Sequence, residues 1–240
     1  MEKAALITAS SRGIGRAIAL RLSRDGAAVV VNYQRNEDAA KEVVATIERT
    51  GGRAVAVRAD IAVPQDITRL FDEAVRAFGG LDIVVNNAGV RAFGAVADLP
   101  LDTLDAILAV NVRGTFLAMQ QAARMLRDGG RIINISTGHT REANPHVAAY
   151  GGGKTATEYF GRVLAKELGG RGITVNSVLP GLTDTDGLSP DFRANDALLG
   201  RTPLGRLGRP EDIADVVAFL ASDDARWVTG DTIAAAGGLV

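Results

Sequence analysis

The sequence contains no cysteine, which excludes both a disulfide framework and thiolate chemistry. The formal net charge is only −1, so charge gives no case for nucleic acid or an anionic membrane surface as the main partner. No apolar run approaches the roughly 20 residues that a membrane-spanning helix needs. The first apolar strand pattern begins near Ala4, which leaves no room for a secretory signal. We therefore expect a cytoplasmic protein.

Histidine is also scarce. His139 and His146 are the only two, and both lie in the predicted loop before Tyr150. Loop histidines are usually surface residues, although contact with a substrate is an alternative. No acidic partner at metal-ligand spacing accompanies them, so no metal site is predicted.

Apolar strand patterns alternate with helical patterns through the 240 residues. The strand predictions are Ala4–Ala9, Ala27–Asn32, Ala54–Ala59, Leu81–Asn86, Arg131–Ser136, Ile173–Leu179 and Thr232–Ala235. The helix predictions are near 13–25, 36–50, 64–78, 101–127, 149–168 and 210–221. Near-continuous apolar strands separated by helices indicate a parallel sheet that is covered on both faces. The predicted fold is therefore α/β: a single doubly wound, Rossmann-type domain over residues 1–240, with a seven-stranded parallel sheet flanked by helices on both faces.

One long irregular segment, 182–209, interrupts this alternation. It follows the carboxyl end of a predicted strand and contains several Gly, Pro and Asp residues. Loops of this length in compact domains are usually functional or disordered. Because ligands of doubly wound folds bind outside the carboxyl ends of the strands, the position favours a substrate lid.

The segment between the first strand and the first helix is a candidate phosphate-binding turn. Backbone N–H groups at the start of a helix, together with the helix dipole, attract anions. Glycines at two positions of the turn let the backbone approach a pyrophosphate closely. The residues of this turn are Ser10, Ser11, Arg12, Gly13, Ile14 and Gly15.

Tyr150 and Lys154 form a candidate acid–base pair. Four positions apart in a predicted helix, they lie about 40° apart on one face. An unperturbed tyrosine has a pKa near ~10. A neighbouring ammonium group favours the phenolate and should lower that pKa toward neutrality, where general acid–base catalysis is efficient. The pair predicts a phenol that exchanges a proton with a substrate.

Taken together, these motifs resemble those of the short-chain dehydrogenase/reductase family over essentially the whole chain. The segment from Thr8 to Gly15 is similar to the family's Thr-Gly-x-x-x-Gly-x-Gly, except that Ala9 stands where the family usually has glycine. We expect the Cβ of Ala9 to shift the turn slightly. The other matching motifs are Asn86-Asn87-Ala88-Gly89, Asn111, Tyr150-x-x-x-Lys154 and Pro180-Gly181. The resemblance implies hydride transfer with a nicotinamide cofactor.

The end of the second strand bears on which nicotinamide cofactor binds. An acidic residue there would accept a hydrogen bond from the ribose 2′-OH of NAD. This sequence has Asn32, Tyr33 and Arg35 and no acid. Asn32 cannot repel a 2′-phosphate, and Arg12 and Arg35 are both close enough in sequence to reach one. NADP(H) is therefore predicted over NAD(H), with a merely solvated Arg35 as the alternative.

The resemblance implies further cofactor contacts. Asp60, followed by Ile61, resembles the family's adenine-contacting Asp, and a cap on the following turn is the alternative. Thr183 and Thr185 occupy positions that hold the nicotinamide carboxamide and the pyrophosphate in the family. The remaining implied contacts are Asn87, Ala88 and Gly89 after the fourth strand, Pro180 and Gly181 after the sixth, and Tyr150 and Lys154 themselves.

The resemblance also implies a catalytic group. Tyr150 delivers the proton, Lys154 stabilises the phenolate and orients the nicotinamide ribose, and Asn111 holds a water that joins the lysine to solvent. A hydroxyl after the fifth strand should bond the carbonyl oxygen of the substrate. Spacing without gaps places it 13 residues before Tyr150, at Thr137, where the family normally has serine. A loop longer by one residue would select Ser136 instead.

The overall match is closest to the 3-oxoacyl-[acyl-carrier-protein] reductase branch, where basic residues near the mouth of the active site receive the acidic carrier. Arg171 stands at one such position, but Asp128 stands at the other. We expect a small-molecule carbonyl or alcohol substrate: a 3-oxoacyl thioester with acyl carrier protein as partner, or alternatively a free ketone, aldehyde or alcohol. A catalytically silent cofactor-binding sensor is a further alternative. The family's usual assembly, a homotetramer, is expected.

Overall fold

The computed structural model of the chain describes residues 2–188 and 200–240. Its strands are β1 (Ala4–Ile7), β2 (Ala28–Tyr33), β3 (Ala54–Arg58), β4 (Leu81–Asn86), β5 (Leu126–Ile135), β6 (Thr174–Pro180) and β7 (Thr232–Ala235). Its α-helices are α1 (Gly13–Arg24), α2 (Glu37–Arg49), α3 (Pro64–Phe78), α4 (Leu101–Ile107), α5 (Thr115–Met125), α6 (Ala148–Leu168) and α7 (Pro210–Ala221).

All seven strands are parallel and form one sheet in the order β3-β2-β1-β4-β5-β6-β7. This confirms the predicted fold class. The chain adds strands in one direction from β1 to β3 and then in the other direction from β4 onward. The carboxyl ends of β1 and β4 therefore flank the switch point at which such sheets bind their ligands.

Two apolar clusters lie on the two faces of the sheet, because side chains alternate along each strand. One cluster joins Ile7 and Val31 to α1, α2 and α7. The other joins Leu6 and Ile132 to α3, α5 and α6. Fully buried strands are typical of a parallel sheet with helices on both sides. None of the described helices is both long and apolar enough to cross a membrane.

The predicted helix over 101–127 is divided into three parts in the structure. A π-helical segment, Leu108–Gly114, separates α4 from α5, and Asn111 lies fully buried in its middle. The chain then enters β5 at Leu126, five residues before the predicted start, where Leu126 pairs with Leu81 ahead of a register shift. Helical periodicity does not reveal a π-helical turn, which is wider than an α-helical turn and is often found at functional sites.

Candidate active site

The candidate phosphate-binding turn is braced by the loop that follows β4. Thr8 Oγ1 accepts hydrogen bonds from the backbone N–H groups of Asn87 and Ala88, both at 2.9 Å. Asn87 Nδ2 donates to the carbonyl oxygens of Thr8 at 2.9 Å and Ala9 at 3.1 Å. A Cβ on Gly15 would lie 2.5 Å from both Ala9 O and Asn87 Nδ2, so only glycine fits this close approach. Hydrogen bonds thus join the segments that follow β1 and β4 at the switch point.

The side chains of Ser10 and Asn32 point into the protein, and cofactor binding by these two residues stays a prediction. Ser10 Oγ donates to Ile7 O at 2.8 Å and accepts from Asn32 N at 3.0 Å. Asn32 Oδ1 accepts from Ala9 N at 2.9 Å, and Asn32 Nδ2 donates to Ala59 O at 3.1 Å. The ring of Tyr33 likewise packs in the core. Buried backbone groups of a tight turn need partners, and these polar side chains supply them.

Ala9 adopts a left-handed conformation with φ +52°. This region costs an L-residue about 1–2 kcal/mol, whereas glycine enters it freely. The family's glycine at this position therefore has a physical reason, and the departure noted in the sequence is a strained residue.

Ala9→Gly is expected to raise the free energy of unfolding by about 0.5–1 kcal/mol, because the relief of strain exceeds the added entropy of the unfolded chain. Urea unfolding measures the change. Ala45→Gly, in the middle of α2, is the matched control and should lose up to about 1 kcal/mol. A glycine variant at position 9 that is no more stable than the parent would contradict the expectation.

Arg12 and Arg35 are exposed cations near the phosphate-binding turn. Arg12 immediately precedes α1, and no side chain caps that helix end, so its N–H groups are open to an anion. Arg35 follows β2. Within residues 2–188 and 200–240, neither guanidinium group has an ion-pair or hydrogen-bond partner. These residues fit a dinucleotide that carries an additional phosphate.

Asp60 forms the turn cap that was the alternative to an adenine contact. Its Oδ1 accepts from Ala62 N at 2.8 Å and its Oδ2 accepts from Gln34 Nε2 at 2.7 Å. Ile61 is buried beside it. Contact of Asp60 and Ile61 with an adenine stays a prediction.

A cavity of about 710 Å³ brings many of the other predicted site residues together, although Asn111, Ala88 and Gly13 do not line it. Tyr150 and Lys154 lie near the start of α6, and Ser136 and Thr137 directly follow β5. The remaining predicted residues on the cavity wall are Ile14, Asn87, Gly89, Pro180, Gly181, Thr183 and Thr185. The carboxyl ends of the strands therefore bring the turn, the acid–base pair and the hydroxyl residues into one space.

The two candidate hydroxyls are separated by the local backbone. The Thr137 hydroxyl lies close enough to the Tyr150 phenol to lower the pKa of that phenol. Ser136 Oγ instead donates to the carboxylate of Glu158. Because successive side chains of extended backbone point to opposite sides, neighbouring residues cannot both face Tyr150. The geometry favours Thr137, as the gapless spacing did.

Lys154 and Asn111 flank the loop after β4. Lys154 is 4% exposed, and its Nζ donates to Ile135 O at 2.7 Å. Asn111 Oδ1 accepts from Val90 N at 2.8 Å, and Asn111 Nδ2 donates to Val90 O at 2.9 Å. A Cβ on Gly89 would lie 3.2 Å from Lys154 Nζ and 3.4 Å from Asn111 Oδ1, so both atoms border the same glycine. The predicted relay through Asn111 stays a prediction.

The ionisation of the acid–base pair differs from the expectation. Loss of water raises the pKa of Tyr150 above its ordinary value, and the Thr137 hydroxyl and Arg91 offset this only in part. Burial lowers the pKa of Lys154 to about 8, against the opposing effect of Glu158. The expectation that Lys154 brings the pKa of Tyr150 toward neutrality is wrong here, because burial dominates and the ammonium group donates to Ile135 O. A protonated phenol is the form that can deliver a proton.

Two rings lie against the ring of Tyr150. The Phe93 ring lies 6.0 Å from the Tyr150 ring at 81°, and the His139 ring lies 6.3 Å from it at 74°. The guanidinium group of Arg91 lies 5.8 Å from the centre of the Phe93 ring. Sequence reasoning missed Arg91 and Phe93 and interpreted His139 as a surface residue. The only signal was their position just after the strand-end motifs.

His139 and His146 both line the cavity. Among residues 2–188 and 200–240, however, no group of three or more His, Cys, Asp or Glu side chains could hold a metal ion. Burial lowers the pKa of His139, which favours its neutral form. This ring is thus an aromatic part of the cavity wall at neutral pH.

The beginning of the predicted lid reaches the phosphate-binding turn. Thr185 lies so close that a Cβ on Gly13 would be 3.7 Å from Thr185 Cβ. Thr183 pairs with Gly208 in an isolated parallel bridge, which ties the two ends of the segment together. Residues 189–199 lie outside the described part of the chain, and the role of 182–209 as a lid stays a prediction.

Comparison with known proteins gives matches over nearly the full length. Residues 8–240 match the family model described as enoyl-(acyl carrier protein) reductase. A versicolorin reductase of Emericella nidulans is 42% identical, with 98% of this chain and 95% of that protein covered. A short-chain dehydrogenase of Burkholderia cenocepacia, solved in complex with NADP, is 44% identical with a TM-score of 0.94, and covers 99% of this chain and 97% of its own. The angucycline C-6 ketoreductase LanV with bound NADP is 46% identical with a TM-score of 0.93, over 99% and 95% of the two chains.

Proposed function

Because the chain belongs to the short-chain dehydrogenase/reductase family, we propose that it is an NADP(H)-dependent oxidoreductase that reduces a ketone to a secondary alcohol. The observation that carries this proposal is a cavity whose wall contains Thr137, Tyr150 and Lys154 together with Ile14 of the glycine turn. Relatives solved with NADP support the cofactor. The open amino end of α1 fits its pyrophosphate.

The chain's own residues handle the carbonyl oxygen and the proton. Thr137 Oγ1 and Tyr150 Oη both donate hydrogen bonds to that oxygen and polarise the carbonyl bond. When bound, NADPH supplies the hydride that adds to the carbonyl carbon. Tyr150 gives its phenolic proton to the oxygen, and the Lys154 ammonium stabilises the phenolate that remains. Asn111 fixes the loop after β4 beside Lys154 and is the proposed link for returning the proton.

The two free arginines are proposed to select NADP(H). Removing one charge-assisted hydrogen bond of about 1.5–3 kcal/mol should weaken NADPH binding by about 10- to 100-fold. We therefore expect Arg12→Ala and Arg35→Ala each to raise the Kd for NADPH on that scale and to leave the Kd for NADH nearly unchanged. Fluorescence titration of both cofactors measures this without turnover.

Arg24→Ala is the matched control, since Arg24 is an exposed cation at the opposite end of α1. It should change neither Kd. Equal losses for both cofactors in the Arg12 and Arg35 variants, or tighter NADH binding by the parent protein, would contradict the selection.

The proposed substrate is a free polycyclic aromatic ketone. Phe93, His139 and Tyr150 present ring edges and faces to one another around the reacting hydroxyls, at 6.0 to 6.3 Å between ring centres. Aromatic pairs of this geometry contribute about 0.5–1.5 kcal/mol each beyond burial, so a planar aromatic substrate gains binding here. The names of the versicolorin reductase and of the angucycline ketoreductase point to the same class.

A panel of carbonyl compounds tests this proposal by NADPH consumption. It comprises a fused bicyclic aromatic ketone, a small aliphatic ketone, and a 3-oxoacyl thioester with and without acyl carrier protein. We expect the highest kcat/KM with the aromatic ketone, and Phe93→Leu should cost that substrate up to about tenfold while sparing the aliphatic one. A preference for the thioester would reject the aromatic class, and no reduction of any member would reject the proposed function in favour of a silent sensor.

A carrier-bound 3-oxoacyl thioester is the alternative substrate, and the matching family description is what favours it. However, Arg171, the residue expected to receive the carrier, already has hydrogen-bond partners within the chain. Arg171 Nε donates to Asp128 Oδ1 at 2.7 Å, and Arg171 also donates to Ala123 O at 2.6 Å. This cluster lies at the amino ends of β5 and β6, at the edge of the sheet opposite Tyr150. Arg171 would have to give up these contacts to receive an acidic carrier.

A homotetramer is the proposed assembly. Phe116 and Tyr159, on α5 and α6, are 48% and 59% exposed, and Trp227, after α7, is 95% exposed. Phe116 also contacts Phe160, which makes this part of α5 and α6 a candidate surface for a further copy of the chain. Sedimentation velocity measures the assembly state directly.

A further inference from the structure

The carboxylate of Glu158 lies beside the cavity, and the reduction described above does not use it. Ser136 Oγ donates a hydrogen bond to Glu158 Oε1. Glu158 follows Lys154 by four residues in α6, so the two side chains lie on one face of the helix. Ser136 is buried and Glu158 is partly buried. The carboxylate is thus held by a hydroxyl, and helical spacing places it on the same side of α6 as the buried ammonium group.

We propose that Glu158 is a positioning residue that keeps Lys154 in its ammonium form beneath the cavity, with Ser136 holding the carboxylate in place. The catalytic consequence rests on the proposed function, but the pairing of charges does not. The inference also gives Ser136 a role other than contact with the substrate.

Burial alone works against a charged lysine at this position. Lys154 donates one hydrogen bond, to Ile135 O, and desolvation lowers its pKa to about 8. Glu158 is the group that raises the pKa again. Removal from water disfavours the charged form of a lysine. A buried ammonium group without a counter-charge therefore tends to lose its proton.

The other charged or titratable groups near Lys154 do not replace Glu158. Tyr150 precedes it on α6, Arg91 and His139 line the same cavity, and the π-helical segment brings Arg113, which donates to a backbone carbonyl. None of them shifts the pKa of Lys154. Strand β6, which packs along α6, carries no charged residue. The counter-charge is therefore supplied by one side chain.

Glu158→Gln removes the negative charge but keeps the shape of the side chain. The amide has the same size as the carboxylate and still offers Ser136 an acceptor oxygen. We expect the alkaline limb of kcat/KM against pH, which Lys154 sets near its pKa of about 8, to move down by about one pH unit. On the acid side of the limb the variant should retain most of its activity. Ser136→Ala should move the limb in the same direction by less.

Glu167→Gln is the matched control, since Glu167 is an exposed carboxylate further along α6. It should leave the limb in place. An alkaline limb that does not move in Glu158→Gln would overturn the proposal. An equal loss of activity at every pH would also overturn it, because that is the result a purely structural role predicts.

A second measurement needs no substrate. By raising the folded-state pKa of Lys154, Glu158 contributes stability that is full below that pKa and is lost as the pH rises through it. The difference in urea-unfolding free energy between the parent and Glu158→Gln should therefore be largest below the pKa of Lys154 in the variant and should shrink as the pH rises to about 8. A difference that is constant with pH would overturn the inference. A shrinking difference in a protein that reduces no ketone would instead reject the proposed function and leave the pairing intact.

Discussion

Tyr150→Phe is expected to lower kcat for ketone reduction by about 10²- to 10⁴-fold, the range that a positioned general acid contributes. Phenylalanine keeps the ring and its contacts with Phe93 and His139, so the cavity wall should persist. Only the oxygen that gives the proton and bonds the carbonyl oxygen is removed. Steady-state NADPH consumption with the best substrate of the panel measures the loss.

Tyr159→Phe is the control for this change. Tyr159 lies on the same helix, but its side chain is 59% exposed and away from the cavity wall. It should retain full activity. NADPH titration should give the parent Kd for Tyr150→Phe, because the phenol oxygen is not part of the phosphate-binding turn. Undiminished turnover by Tyr150→Phe would remove the basis of the proposed mechanism.

The ionisation of the pair fits a proton donor. Because burial raises the pKa of Tyr150, the phenol stays protonated at neutral pH and is ready to act as an acid. Lys154, with a pKa of about 8, then sets the upper pH limit, since above it the neutral amine no longer stabilises a phenolate. A strongly lowered tyrosine pKa would instead suit a base that removes a proton from an alcohol. The arrangement therefore suits the proton-donating step of a reduction at neutral pH.

The strands and most helices could be predicted because their causes are local. A buried parallel strand needs a short apolar run, and β2 and β4 reproduce the predicted bounds to within a residue. The glycine turn was also visible, because close approach of two backbones demands glycine at Gly15. These features depend on residues that are neighbours in sequence.

The remaining features depend on partners that are distant in sequence. The inward direction of Asn32 is set by the backbone of Ala9 and Ala59, and the π-helical segment is accompanied by a bond between Asn111 and Val90. The pKa of Tyr150 depends on how much water the folded cavity excludes. A motif names the residue type at each position, but it does not report these contacts.

The second large expected effect on kcat concerns which of the adjacent residues Ser136 and Thr137 bonds the carbonyl oxygen of the substrate. Thr137→Ala is expected to lower kcat by about 10²- to 10³-fold, as removal of one hydrogen bond to a developing oxyanion does. Ser136→Ala should cost less than about tenfold at neutral pH, because its hydroxyl serves Glu158 and not the carbonyl oxygen. Thr137→Ser should recover most of the activity, since it restores the hydroxyl without the methyl group. If Ser136→Ala loses more kcat than Thr137→Ala, the alternative register of the loop is correct and Thr137 is not the residue that bonds the carbonyl oxygen.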